Sequence, residues 1–152
     1  MPFPTGISQY FTHEDSLELD LVQAFLRRLC TIETWFLCQR KYTFTASSLL
    51  FIYDGKALHD FKSSKKSQGT TTANHLAENS PETTDSISNN AAPESYGVEF
   101  FDSIVDVRMI DFTHAFVVSD TRDENYLVGL QSIIRYLKEL MNEKLVLSQS
   151  GS

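Results

Sequence analysis

Between Phe61 and Tyr96 the chain carries no aromatic residue, and from residue 56 to about residue 95 it is dominated by Ser, Thr, Asn, Glu and Lys. Such a segment cannot bury enough apolar surface to offset the entropy of ordering it, so residues 56–97 are expected to form a disordered insertion. Any core must then be assembled from the blocks on either side. One folded unit can carry such an excursion, because loop-closure entropy grows only logarithmically with length. A chain of 152 residues, 41% hydrophobic and 12% aromatic, holds enough for one modest core and too little for two.

The upstream block opens with Pro2, Pro4 and Gly6 and reaches Tyr10 and Phe11, which reads as an irregular lead-in docked by its two rings. Leu17, Leu21, Phe25, Leu29 and Ile32 then recur at three- and four-residue spacing, with Asp20, Gln23, Arg27 and Arg28 interleaved. That period predicts an amphipathic helix over residues 16–40, with Glu14 and Asp15 placed to favour its N-terminal dipole. Residues 42–53 switch to Thr, Phe, Ile, Leu and Tyr and are apolar on both faces from Leu49 to Ile52, which predicts one central, buried strand closed by Asp54 and Gly55.

Downstream, order is expected to resume at Val98 to Phe101. Val105, Val107 and Met109 alternate with Asp106, Arg108 and Ile110, predicting a second strand over 104–113 that pairs with the first. Tyr126, Leu127, Leu130, Ile133, Ile134, Leu137, Leu140 and Met141 predict a final helix over 124–144, with Arg135 and Lys138 outward and a frayed tail. The fold class is α+β.

A net charge of −7 and an isoelectric point near 5.0 give no diffuse basic surface for nucleic acid, so an anionic ligand would be held by a few local cations. No apolar run approaches the roughly 20 residues that span a bilayer, so no membrane insertion is expected. Cys30 and Cys38 offer neither a metal-ligand spacing nor a disulfide framework, and both are expected to pack in the core of a protein in a reducing compartment.

Asp111, between Ile110 and Phe112 at the end of an apolar strand, would be costly to desolvate alone. Its partner is either a basic side chain such as Arg108 or a divalent cation bound to a phosphate ligand. Ser47 and Ser48 interrupt the first strand; their hydroxyls either satisfy neighbouring backbone or help orient a metal or a phosphate oxygen. His114 is either an ordinary loop histidine or a donor to an anionic substrate. Lys62, Lys65 and Lys66 form a basic cluster that reads as a solvated loop, or as a weak nuclear-import or phosphate-attracting patch.

Three stretches in order carry a family resemblance: Ala46-Ser-Ser-Leu-Leu-Phe-Ile-Tyr-Asp-Gly55, Val105-Asp-Val-Arg-Met-Ile-Asp-Phe-Thr-His114 and Tyr126-Leu-Val-Gly-Leu-Gln-Ser-Ile-Ile134. Together they resemble the C-terminal half of the inositol polyphosphate kinases, over roughly residues 6–140 apart from the insertion. Thr113, His114 and Ala115 stand where the trisphosphate 3-kinases have Gly-Lys-Thr, while Ala46 to Phe51 and His114-Ala-Phe116 look more like the multikinases than the hexakisphosphate kinases. The resemblance implies the C-terminal lobe of a protein-kinase-like fold, with antiparallel strands flanked by two long helices, using ATP and Mg2+ on inositol phosphates. It makes Asp111 the magnesium ligand that also contacts ATP, Ser48 its support, and His114 a substrate-side residue. Asp106 and Arg108 are expected to pair or brace the strand. The resemblance also implies residence in nucleus and cytoplasm.

The family's Pro-x-x-x-Asp-x-Lys-x-Gly signature and its upstream ATP-holding lysine do not occur. Asp60-Phe-Lys62 is a chance echo, since Ser63-Ser64 follow it and the proline is missing. No catalytic residue is therefore assigned, and Met1, falling near the middle of the family's alignment, suggests a truncated gene model, a splice product or a fragment. The alternatives are a non-catalytic binding module that keeps the metal-site half, and a hexakisphosphate kinase relative.

Overall fold

The computed structural model describes residues 5–14, 16–68 and 94–149. Its centre is a pair of long helices, α2 (Leu19–Cys38) and α5 (Glu124–Gln149), packed on one another. α2 buries Leu21, Val22, Phe25, Leu26, Leu29 and Phe36, the stripe that its sequence period demands. α5 answers with Leu127, Leu130, Ile134, Leu137 and Leu140, while Arg135 and Lys138 face solvent as expected.

Within the lead-in, residues 5–10 are helical rather than irregular, and residues 1–4 lie outside the described residues. α1 (Thr5–Tyr10) delivers Phe11 into the core at 2% exposure, and the Tyr10 hydroxyl donates to the Phe51 carbonyl at 2.8 Å. A hairpin follows, β1 (Thr12–His13) with β2 (Ser16–Leu17), turning through Glu14 at a positive φ of 47°. Glu14 thus serves the hairpin and not the cap of α2, and Asp15 lies outside the described residues. The residue preceding α2 is Glu18, whose side chain makes no capping bond and instead pairs with Lys62.

The expected strand over 42–53 is two strands, β3 (Tyr42–Phe44) and β4 (Ser48–Tyr53), separated by a bend in which Ala46 takes a φ of 58°. Nor is β4 central. It pairs antiparallel with β5 (Val105–Ile110), Ser48 opposite Ile110 through Tyr53 opposite Val105, and no third strand joins this ladder among the described residues. Leu49, Phe51 and Tyr53 pack toward the core, while Leu50 and Ile52 remain 43% and 44% exposed. β3 pairs with β6 (Ala115–Val117) in a separate two-stranded sheet.

The flanks of the polar segment are helical. α3 (Gly55–Gln68) and α4 (Glu94–Ile104) replace both ends of the expected insertion, while residues 69–93 lie outside the described residues. α3 starts where the Asp54 carboxylate accepts the Ala57 amide at 2.9 Å and buries Leu58 at 1% exposure. Phe61 stacks on Phe100 of α4 with ring centroids 4.0 Å apart, so the two ends of the excursion meet. Cys30 is half-buried and Cys38 exposed, which corrects the core placement of the latter. No helix among the described residues is long and apolar enough to cross a membrane.

Candidate functional site

The open end of the β4–β5 ladder gathers the three residues singled out in the sequence. Asp111 closes β5 in the left-handed conformation, φ 64° and ψ 58°, one of the few non-glycine residue types that tolerates it. This turn sends the chain into a short 3₁₀ segment (Phe112–His114) and then β6. Ser48 faces Ile110 across the ladder and so stands beside the Asp111 strand end. The His114 carbonyl accepts the Thr45 amide at 3.0 Å, which brings His114 back to the junction between β3 and β4.

Asp111 is exposed, so the expected desolvation cost does not arise. Arg108 is not its partner: that guanidinium donates to Asp106 at 2.5 Å and holds the Asp106 carboxyl below the usual carboxylate range. No hydrogen bond or ion pair reaches the Asp111 carboxylate among the described residues. Among the described residues both its oxygens remain open as acceptors. Mg2+ needs only one or two protein carboxylates when waters and ligand phosphates complete its octahedron, so a solvated carboxylate at a fixed strand end fits such an ion. Ser48 and His114 are exposed as well, able to meet a ligand without rearranging the core.

Next to Ser48 lies an open groove of about 440 Å³ between β4 and α5, lined by Phe44, Ser47, Ser48, Leu49, Asn125 and Tyr126 among others. Asp111 and His114 do not line it. The groove offers hydroxyls and an amide but no charge, so the ladder end is the better place for a metal and phosphates. Inside the groove the Ser47 and Tyr126 hydroxyls are buried. Burial pushes the Tyr126 phenol up, and the nearby Ser47 side chain opposes the rise, yet neither hydroxyl completes a hydrogen bond of good geometry.

Two buried carboxylates escaped the sequence reading. Asp123, 4% exposed, accepts the Phe44 amide at 2.7 Å and the Tyr126 amide at 3.0 Å, tying β3 to the start of α5. An Asp just ahead of an apolar helical period was the available signal, and it marks a cap. Glu18, 8% exposed, is neutralised by Lys62 from across the chain, a partner that no local spacing announces. Asp60 pairs with Lys56 at 2.7 Å, so Asp60 and Lys62 of the apparent motif face different partners. The other lysines of the cluster are also engaged: Lys65 lies 4.6 Å from the Phe61 ring centre, and Lys66 pairs with Glu14.

Comparison with known proteins adds an independent line. The family model for inositol polyphosphate kinase matches residues 2–138. Human inositol hexakisphosphate kinase 2 is 30% identical over 153 residues, covering 93% of this chain and 33% of the relative. The rat protein of that name is 32% identical, with the same coverage. Human inositol hexakisphosphate kinase 1 is 30% identical over 152 residues, 93% of this chain and 34% of the relative. The chain thus spans about a third of the length of these curated relatives. Among solved structures, the inositol phosphate multikinase Ipk2 of S. cerevisiae, in complex with ADP and Mn2+, superposes with a TM-score of 0.56 at 21% identity. That match covers 90% of this chain and 44% of the other, and it establishes a shared fold.

Proposed function

Because the chain belongs to the inositol polyphosphate kinase family, we propose that it contributes the metal- and nucleotide-binding half of an ATP-dependent phosphoryl transfer to inositol polyphosphates. The observation that carries this reading is the free Asp111 carboxylate, held at the end of β5 beside Ser48. Asp111 would hold Mg2+ between ATP phosphate oxygens, and Ser48 would steady that ion's surroundings. His114 would face the inositol phosphate. A divalent cation there supplies charge neutralisation for the transferring phosphoryl group. The ADP and Mn2+ of the yeast structure favour nucleotide and divalent metal use by this fold. The same reading carries residence in nucleus and cytoplasm, checked by imaging a tagged chain.

Two other readings have observations behind them. The curated relatives are hexakisphosphate kinases, which favours a pyrophosphate-forming activity over the multikinase-like one suggested by Ala46 to Phe51 and His114 to Phe116. Absence of the Pro-x-x-x-Asp-x-Lys-x-Gly signature favours a non-catalytic binding role, since transfer requires both phosphates and the attacking hydroxyl to be positioned.

One assay separates them: transfer of labelled phosphate from ATP to inositol tris-, tetrakis- and hexakisphosphates, with and without Asp111→Asn. Weak, Asp111-dependent labelling of the tris- or tetrakisphosphate supports the multikinase-like reading. Labelling of the hexakisphosphate supports the pyrophosphate-forming one. Nucleotide binding without any product supports the binding module. A folded chain that neither transfers phosphate nor binds nucleotide contradicts all three.

A further inference from the structure

The β1–β2 hairpin meets α3 through three side chains that no part of the proposed kinase reaction uses. His13 from β1, Glu14 from the hairpin turn and His59 from α3 each offer one ligand atom, and these three atoms lie within 4.8 Å of one another. Two imidazoles and a carboxylate form the donor set that suits Zn2+, with the fourth position of the tetrahedron left to water.

The local polar pairing leaves this set ready for an ion. The His13 Nε2 atom is buried and has no hydrogen-bond partner among the described residues. Glu14 Oε1 stands 4.0 Å from it, beyond a direct hydrogen bond. The other oxygen, Oε2, is held by Lys66 at 2.7 Å, so the carboxylate is oriented from behind with Oε1 turned toward the histidine. The two imidazole rings approach edge to face with centroids 6.0 Å apart. Ligands of a tetrahedral zinc ion sit about 3.3 Å from one another, given metal–ligand bonds of 2.0–2.1 Å. Glu14 and His59 are exposed side chains, free to close the remaining distance without disturbing the core.

We propose that His13, Glu14 and His59 form a Zn2+ site that clasps α3 to the N-terminal hairpin. The clasp acts beside two ion pairs of α3, Lys66 with Glu14 of the hairpin turn and Lys62 with Glu18 just ahead of α2. The ion braces α3, the helix that precedes the polar segment. The site makes no use of Asp111 and stands or falls independently of the kinase reading.

The test is titration of the full chain with Zn2+ by calorimetry and with Co2+ by visible absorption, whose intensity reports tetrahedral coordination. His59→Ala, at an exposed position, serves as the principal variant, with His13→Ala and Asp111→Asn beside it and circular dichroism to verify folding. The expected result is one equivalent of Zn2+, tetrahedral Co2+ bands, and affinity reduced by more than about tenfold in both histidine variants but unchanged in Asp111→Asn. Zn2+ binding equal in His59→Ala and the parent, or no binding of either ion to the folded chain, would overturn the proposal. Affinity lost only in Asp111→Asn would assign the bound ion to the ladder end and overturn it equally.

Discussion

Ser48 faces Ile110 across the antiparallel β4–β5 ladder, which sets it beside Asp111 where β5 turns away. The register therefore makes a prediction that is separable from the aspartate itself. Ser48→Ala, at an exposed position, should leave folding intact and weaken Mn2+-dependent nucleotide binding by about fivefold, the order of one hydrogen bond. Mn2+ relaxation of the nucleotide 31P signals measures this directly. Unchanged relaxation in the variant would remove Ser48 from the site.

Asp123 joins two elements by accepting two backbone amides. Asp123→Ala should cost about 2 kcal/mol, combining a lost helix cap with a buried Phe44 amide left unpaired. Urea unfolding reads the loss. A change below about 0.5 kcal/mol would show that water replaces the carboxylate at little cost.

Phe25 is fully buried against Phe11 and Phe51, with ring centroids 5.5 and 5.4 Å away. Phe25→Ala should cost about 3–5 kcal/mol, a large part of the stability of a domain of this size. Val128, 63% exposed on α5, is the control: Val128→Ala should change stability by less than about 0.5 kcal/mol.

Alkaline pH offers a test through Tyr126, whose phenol is raised from its ordinary value of 10.0 by burial, as are those of Tyr10 and Tyr136. The folded state prefers the protonated phenol. Its contribution is complete below pH 10 and is lost as pH rises from there through the folded-state value. Tyr126→Phe should shrink that alkaline loss. It should also be at least as stable as the parent at neutral pH, because it removes a buried hydroxyl that completes no hydrogen bond of good geometry among the described residues. Urea midpoints at pH 7 and above pH 10 distinguish this from a hydroxyl that contributes a bond.

Local pattern made α2, β5 and α5 legible, since their apolar spacings match one period over many residues. α3 was not legible, because its stability comes from partners far along the chain: Leu58 in the core, Phe61 on Phe100, Lys62 on Glu18. The same polar composition that forbids a core of its own does not forbid a helix docked on someone else's. β4 read as central because Leu50 and Ile52 are apolar, yet an apolar residue need not be covered, and these two are not. At the site, the sequence stretches identified Asp111, Ser48 and His114, and the fold brings all three to one end of a ladder. The expected pairing of Arg108 with Asp106 forms, and it leaves the Asp111 carboxylate without an ion pair among the described residues.

That freedom is the centre of the account, and Mg-ATP titration by calorimetry tests it most directly. Asp111→Asn is the right comparison, because Asn also tolerates the left-handed backbone and removes only the charge. Binding to the parent chain is expected to fall by more than about tenfold in Asp111→Asn, the two being equally folded by circular dichroism. Equal affinity in both, or no heat from either folded chain, would contradict a metal-nucleotide site at Asp111.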